Sequence, residues 1–504
     1  MKPDEILKIS KKNESLTQTA GKGALWWISS GLWQTGIRLG ASAVLARNLN
    51  PSDFGLFGMA MIVNELIDRM GPISMGSGLI AKKDITQKDL STCFWMMSIV
   101  RFVLFLAAFF SASFASAFFA NPDLENVLRV ISVIFLFSII SIVPRMILNK
   151  KMEYRRLAFI NSIGVSFESC LAVVLVLTTG LGYWSLVFSM VIANLLINIT
   201  LMISAKWYPA FLFDKESFKY LYRYGINSIG ATLLSYLSDN LDYFLVGKFL
   251  GAATLGLYEF AYRVPHLIVT KLIAPASGVI FPSFSVLQDD NNALVDGLIR
   301  SSKYIAIISF PILGGLAVVS EMFVPIVWGE KWLPIVTPLR ILCFAAAVKC
   351  LNFPINSIFL CKNRPDIPFK LSIIIFFVSL FSVSGLSYLF GLNGTASGMV
   401  ISSLVIFVGY YFAIQLTYNF LWQLFKNISI SIISTVVSMS IAYGALYFMS
   451  MNEVAIFVNL IITVFIGVIG YIGALYLFFN GTFYELIQLG RTLLLKKNPD
   501  ANLS

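Results

Sequence analysis

A chain of 504 residues, 58% hydrophobic and only 12% charged, lacks the polar surface of a soluble domain, which carries about 25% charged residues; its solvent is lipid. The net charge of +11 calls for no nucleic acid, because a basic cytoplasmic face beside anionic lipid accounts for it. Five cysteines at no metal-ligand spacing and a single histidine, His266, argue against a structural zinc or haem site, so no metal or cofactor is expected.

Residues 1–22 are polar and lysine-bearing, with no apolar h-region, and read as a cytoplasmic segment without a cleavable signal. A bilayer core needs about 20 apolar residues per helix. Fourteen segments meet that need: 24–46, 54–79, 91–118, 126–148, 157–179, 183–204, 222–247, 254–280, 299–320, 334–360, 369–390, 394–418, 427–449 and 454–479. They are numbered span 1 to span 14. Spans 5 and 6 are separated only by Gly180-Leu181-Gly182, and spans 11 and 12 only by Leu392-Asn393-Gly394. Residues 211–222 and 483–495 have the amphipathic pattern of helices lying in the interface. The fold class expected is an all-α polytopic membrane protein. It has two pseudo-symmetric six-helix bundles, 23–204 and 222–418, joined by a cytoplasmic amphipathic elbow, 205–221. Helices 13 and 14 follow in 427–479, then a cytoplasmic amphipathic tail, 480–504, and the bundles enclose a central cavity.

Orientation follows from the lysines and arginines. One set of connections holds basic clusters such as Lys82-Lys83, Lys150-Lys151, Arg155-Arg156 and Lys362, whereas the alternate set holds only Arg47, Lys248 and Lys331. Both termini are therefore expected in the cytoplasm. Trp26, Trp27, Trp184, Trp207, Trp328, Trp332 and Trp422 fall near the interfaces, where aromatic anchors belong.

The chain also repeats itself. Asn48-Leu49-Asn50-Pro51-Ser52-Asp53-Phe54-Gly55-Leu56-Phe57-Gly58-Met59-Ala60 aligns, 201 residues on, with Phe249-Leu250-Gly251-Ala252-Ala253-Thr254-Leu255-Gly256-Leu257-Tyr258-Glu259-Phe260-Ala261. Leu49/Leu250, Gly55/Gly256, Leu56/Leu257 and Ala60/Ala261 coincide. Pro144 and Pro354 form a weaker pair, each just before a basic cluster. Six spans per repeat is an even number, so the halves are expected to be parallel.

The segment Ala46-Arg47-Asn48-Leu49-Asn50-Pro51-Ser52-Asp53-Phe54-Gly55-Leu56-Phe57 resembles the signature after the first helix of polysaccharide exporters of the MOP (multidrug/oligosaccharidyl-lipid/polysaccharide) superfamily. The resemblance extends through Gly76-Ser77-Gly78-Leu79-Ile80 and the Pro144 region. It is strongest to the Wzx-like branch that includes colanic acid and teichuronic acid exporters. It implies a flippase in the bacterial inner membrane that moves undecaprenyl-pyrophosphate-linked oligosaccharides between leaflets. Membrane lipids surround it, and a polymerase and glycosyltransferases are the partners implied.

Ionisable groups at bilayer depth cost several kcal/mol unless they face a cavity or a partner, which makes them functional candidates. Arg38 lies 14 residues into span 1, roughly 21 Å at 1.5 Å per residue. Span 2 carries Glu65, Asp68 and Arg69; span 3 Arg101; span 5 Glu168; span 7 Asp239 and Asp242. Span 8 carries Glu259, Arg263, His266 and Lys271, and span 10 Arg340 and Lys349. Spans 1, 2, 7 and 8 hold most of them, at equivalent places in the repeat, so a cavity lined by those four is expected. Arginine and lysine are the residues that grip phosphate, and Arg38, Arg263, Lys349, Arg101 and Arg69 are the candidate substrate-binding set. Asp239, Asp242, Glu65, Glu259 and His266 are candidates for ion coupling or for structural salt bridges. Glu65–Arg69 and Glu259–Arg263 have helical ion-pair spacing and can equally staple their own helices; Arg38 can equally bridge to Asp239 or Asp242. Gly71-Pro72, Pro265, Pro275 and Pro311 mark expected bends.

An enzyme is not expected. The loops that would face outward are too short to present catalytic side chains, and no Walker-type phosphate loop is present. A cation-coupled multidrug exporter of the same superfamily stays open beside the flippase, with a membrane glycan polymerase or ligase a weaker third.

Overall fold

The computed structural model describes residues 16–71, 79, 82, 85–415, 420–451 and 455–495. Pro72 and the Gly76–Ile80 stretch apart from Leu79 lie outside the described residues, as do 496–504 of the tail. The described chain is all-helical: α1 (Leu16–Asn48), α2 (Pro51–Arg69), α3 (Gln87–Phe119), α4 (Asp123–Ile139), α5 (Ile142–Lys150), α6 (Tyr154–Thr179), α7 (Trp184–Ala205) and α8 (Lys215–Leu267). A π-helical turn, Ile268–Ile273, leads to α9 (Ser277–Val286) and α10 (Asn291–Val327). Then come α11 (Val336–Cys350), α12 (Asn352–Cys361), α13 (Asp366–Gln415), α14 (Leu421–Met451), α15 (Ile456–Phe478) and α16 (Asn480–Leu495).

Among the described residues nine helices are long and apolar enough to cross a membrane, or ten if α4 and α5, bent by 51°, count as one span. α1 and α2 fall outside this set; they carry Arg38 and the Glu65, Asp68 and Arg69 group. Two of the nine, Thr232–Val286 and Asp366–Ile414, are too long for one crossing. Each is interrupted at a glycine in a backbone conformation that side chains resist: Gly251 (φ 78°, ψ 179°) and Gly391 (φ 57°, ψ −133°). The break between spans 11 and 12 thus falls at Gly391, ahead of the expected Leu392-Asn393-Gly394. The turn between spans 5 and 6 lies where expected, with Gly180 and Gly182 both at positive φ.

Other expected spans are broken. Segment 126–148 divides at Ser141 into α4 and α5, and 334–360 divides at Leu351 into α11 and α12. Of the expected kinks, Pro265 precedes the π-helical turn, Pro275 sits in a short 3-10 turn, and Pro311 is held within α10.

The chain divides into two compact units, Met1–Glu259 with Ser387–Leu392, and Phe260–Leu386 with Asn393–Ser504. In the first, α1 packs along α6 and α3 along α4. Residues 207–214 run without helix across the start of α3. The buried Trp207 donates its indole N–H to Gln87 Oε1 (2.9 Å), and Trp95 donates to the Ala210 carbonyl (2.9 Å). Beneath them Asp89 accepts from Lys82 Nζ at 2.6 Å and from Ser217 Oγ. The helix of the elbow begins only at Lys215 and continues into span 7 as α8. In the second unit α10, α14 and α15 form the main stack. α16 returns against it: Glu485 accepts from Lys303 Nζ (2.6 Å) and the Tyr304 hydroxyl (2.5 Å), and Phe483 and Leu486 cover Ile307, Tyr471 and Leu475. Four of the five cysteines are buried and Cys170 is exposed.

The repeat signature acquires a physical meaning in the first unit. Pro51 opens α2, where a missing N–H costs nothing, and the Asp53 carboxylate accepts the Asn50 N–H at 2.8 Å to cap it. A Cβ at Gly55 would strike the Ala252 carbonyl oxygen, and one at Gly256 would strike that of Pro51. Pro51 and Ala252 occupy equivalent places in the two repeats, as do Gly55 and Gly256. The start of α2 and the part of α8 after Gly251 therefore meet backbone to backbone, each glycine receiving the other repeat's first turn.

Candidate functional site

Within the first unit, α1, α2, α3, α6 and α8 position the charged side chains. Arg38 Nη2 stands 3.7 Å from Glu168 Oε2, and the arginine side chain is still 63% exposed. The acid beside Arg38 is thus Glu168 of α6, neither Asp239 nor Asp242. That leaves an oriented guanidinium with most of its donors available for an anion.

Arg101 of α3 pairs with Asp68 of α2 and lies 5.9 Å over the Phe135 ring. Its Nε is buried with no hydrogen-bond partner. The pair joins two helices, which on-helix spacing does not reveal. Arg69, one turn from Glu65, sits 5.8 Å over the ring of Tyr236, whose hydroxyl donates to the Ile62 carbonyl at 2.9 Å. Glu65 is exposed, as is Asp239. Asp242 is only 2% exposed and accepts from the buried Tyr258 hydroxyl at 2.5 Å. The two neighbouring carboxylates of α8 therefore differ in kind: Asp239 faces outward, while Asp242 is held in the packing. Glu259 is half-buried at the end of this unit, with Gly58 leaving space beside its carboxylate.

Within the second unit Arg263 lies 4.2 Å over Phe260, which is stacked at 3.9 Å on Trp332. A guanidinium over an aromatic face is held by cation–π attraction. The His266 ring lies 5.1 Å from that of Tyr262, and Lys271 and Lys349 are within electrostatic range of it. Arg340 is committed elsewhere: its Nη2 meets Glu321 at 3.0 Å, and its Nε donates to Ala317 and Ser320. A cavity of about 450 Å³ opens nearby, lined by Val264, Ile268, Pro311, Leu316, Met439 and Val468 among others. In the first unit the cations are interleaved with acids, and in the second Lys271 and Lys349 come within electrostatic range of His266.

Sequence reasoning did not assign Tyr236 and Tyr258, which hold Arg69 and Asp242. Their apolar surroundings gave no sign of it, since tyrosine in a span reads as packing.

A family model described as "Polysaccharide biosynthesis protein" matches residues 44–337. The teichuronic acid biosynthesis protein TuaB of Bacillus subtilis is 28% identical over 363 residues, covering 70% of this chain and 74% of that protein. The lipopolysaccharide biosynthesis protein WzxC of Escherichia coli is 27% identical over 370 residues, 71% of this chain and 73% of that protein. Among solved structures, the lipid II flippase MurJ in an inward closed conformation superposes with a TM-score of 0.75 at 16% identity, covering 91% of this chain and 99% of that one. An inward-facing multidrug resistance MATE family transporter of the MOP superfamily gives 0.54 at 17% identity, covering 75% and 93%. Identities this low speak to the fold alone, a multi-span helical transporter architecture.

Proposed function

The chain belongs to the polysaccharide biosynthesis protein family, and from that premise we propose that it is a flippase. Its cargo is an undecaprenyl-pyrophosphate-linked oligosaccharide repeat unit, carried across the bacterial inner membrane for cell-surface polysaccharide synthesis. The observation that carries this reading is the match, over about 70% of the chain, to relatives named for teichuronic acid and lipopolysaccharide biosynthesis. The fold it shares with a lipid II flippase supports it. The topology proposed is fourteen spans with both termini cytoplasmic, two parallel six-span repeats and two added helices, working by alternating access around a central cavity.

Arg38 is the leading phosphate ligand, because its guanidinium is oriented by Glu168 and still exposed. Arg263 and Lys349 are proposed to grip the same pyrophosphate from the second repeat. Arg69 and Arg101 shape the wall, since each is engaged within its own unit. Asp239, exposed on α8, is the better placed of the two aspartates to couple an ion; Asp242 serves packing. Glu65, Glu259 and His266 complete the polar lining. Transport so described requires no bond to be made or broken in the cargo, and the glycan polymerase and glycosyltransferases act before and after it.

The test is a strain deleted for the gene, with undecaprenyl-linked species extracted and weighed. Accumulated full-length repeat units together with lost surface polysaccharide support the flippase. Unchanged lipid-linked pools with raised drug sensitivity replace it with the multidrug exporter.

A further inference from the structure

A groove of about 590 Å³ lies between α1 and α6 inside the first unit, walled by Trp26, Trp33, Phe159, Ile163, Phe167 and Cys170. From Ala158 to Cys170 it follows α6 for roughly 18 Å at 1.5 Å per residue. Trp33 and Phe159 turn large apolar faces outward, 57% and 65% exposed. Its hydroxyls are engaged with each other, with backbone or with the Trp33 indole. Ser30 Oγ shares a hydrogen bond with Ser162 Oγ (2.8 Å) and donates to the Ala158 carbonyl (3.1 Å), and Trp33 Nε1 donates to Ser166 Oγ (3.1 Å). A glycan bound here would find few free hydrogen-bonding partners for its own hydroxyls and would bury them at a cost. An unsaturated hydrocarbon chain would meet only carbon and aromatic faces.

The groove has a charged end. Arg155, exposed at the start of α6, stacks 4.9 Å over the ring of Trp26 and makes no ion pair among the described residues, whereas its neighbour Arg156 is paired with Glu153 at 2.9 Å. Stacking holds the guanidinium plane and leaves its N–H edge available, the arrangement that suits a phosphate. Lys150 and Lys151 precede it in the chain. Glu168, which carries Arg38, is not part of the groove's lining; at 3.6 residues per turn it falls on the opposite face of α6.

We propose that this groove docks the polyprenyl phosphate portion of the cargo, with the phosphate on Arg155 and the isoprenoid chain laid over Trp26, Trp33 and Phe159. This rests on the flippase reading and adds to it a landing place separate from the Arg38 site.

The experiment uses the purified full chain in nanodiscs and a diazirine-bearing polyprenyl phosphate, with labelled peptides mapped by mass spectrometry. Label is expected in residues 26–33 or 155–170. Undecaprenyl phosphate competes for it, and phosphatidylglycerol at the same mole fraction does not. Ser162→Trp, which fills the groove, lowers labelling at least tenfold at an unchanged melting temperature; Ile163→Trp is the substitute if that variant does not fold. Arg155→Gln lowers labelling several-fold. Label confined to other segments, equal competition by phosphatidylglycerol, or wild-type labelling in a folded groove-filled variant overturns the proposal. If it is overturned while the deletion strain still accumulates lipid-linked glycan, the groove assignment falls and the flippase reading stands. An unchanged glycan pool in that strain removes the flippase reading itself.

Discussion

Gly55→Ala is the smallest change that tests whether the repeat signature is a contact that must open and close. The added methyl meets the Ala252 carbonyl oxygen, and in Gly256→Ala it meets that of Pro51. Backbone oxygens in a helix cannot swing aside as a side chain does, so the cost lies at the upper end of overpacking, about 3 kcal/mol. Alanine is the better helix former by at most about 1 kcal/mol. The net is about 2 kcal/mol against this conformation, close to a 30-fold shift in population at about 1.4 kcal/mol per tenfold. The two changes are not additive, because the first already separates the helices. The assay places a cysteine at Leu255, fully buried at this crossing, in a variant lacking the native cysteines, and follows labelling by a membrane-impermeant maleimide. Either glycine change is expected to raise the labelling rate about 30-fold. Gly58→Ala is the control: its methyl would meet neighbours no nearer than 3.5 Å and should leave the rate within about twofold. Wild-type labelling and an unchanged melting temperature in Gly55→Ala and Gly256→Ala would refute the reasoning.

Three further outcomes follow from the ion pairs. Arg38→Ala removes an exposed pair of under about 1 kcal/mol, so melting should barely move while surface polysaccharide falls at least tenfold; full export at normal protein levels removes Arg38 from the cargo path. Arg101→Leu leaves the Asp68 carboxylate, 33% exposed, without its partner and should cost about 1–2 kcal/mol, less than a fully buried pair. Adding Asp68→Asn should recover more than half of that in thermal unfolding. Hydrogen bonds from Lys303 and Tyr304 hold the Glu485 carboxyl below its ordinary range. A depressed acid stabilises the fold above its unfolded pKa and loses that contribution as pH falls through the folded value. Glu485→Gln should therefore cost under about 1 kcal/mol near neutral pH, since the carboxylate is over a third exposed and solvent screens the pair, and flatten the acid side of the stability profile.

The Gly55/Gly256 correspondence was legible because a close helix crossing demands glycine. So were the turns at Gly180 and Gly182, where positive φ selects the residue. Partners across helices were not. Glu168 faces Arg38 and Asp68 faces Arg101 because of how whole helices rotate about their axes, which in-helix spacing does not encode. The breaks at Ser141 and Leu351 were hidden for a different reason. Each falls three residues before a proline, Pro144 or Pro354, in the first turn of the next helix, but hydropathy reports only depth in the membrane and carries no record of a bend. Asp239 and Asp242, three residues apart on α8, looked interchangeable as intramembrane acids; only the packing of Tyr258 separates them.

The most direct measurement of the central claim is translocation by the purified protein in proteoliposomes. A lipid-linked oligosaccharide is placed in both leaflets, and an added glycosidase reports the fraction reachable from outside. The protected half is expected to become accessible with the wild-type chain and to stay protected with Arg38→Ala. Continued protection with folded wild-type protein under an imposed ion gradient and membrane potential contradicts the flippase function.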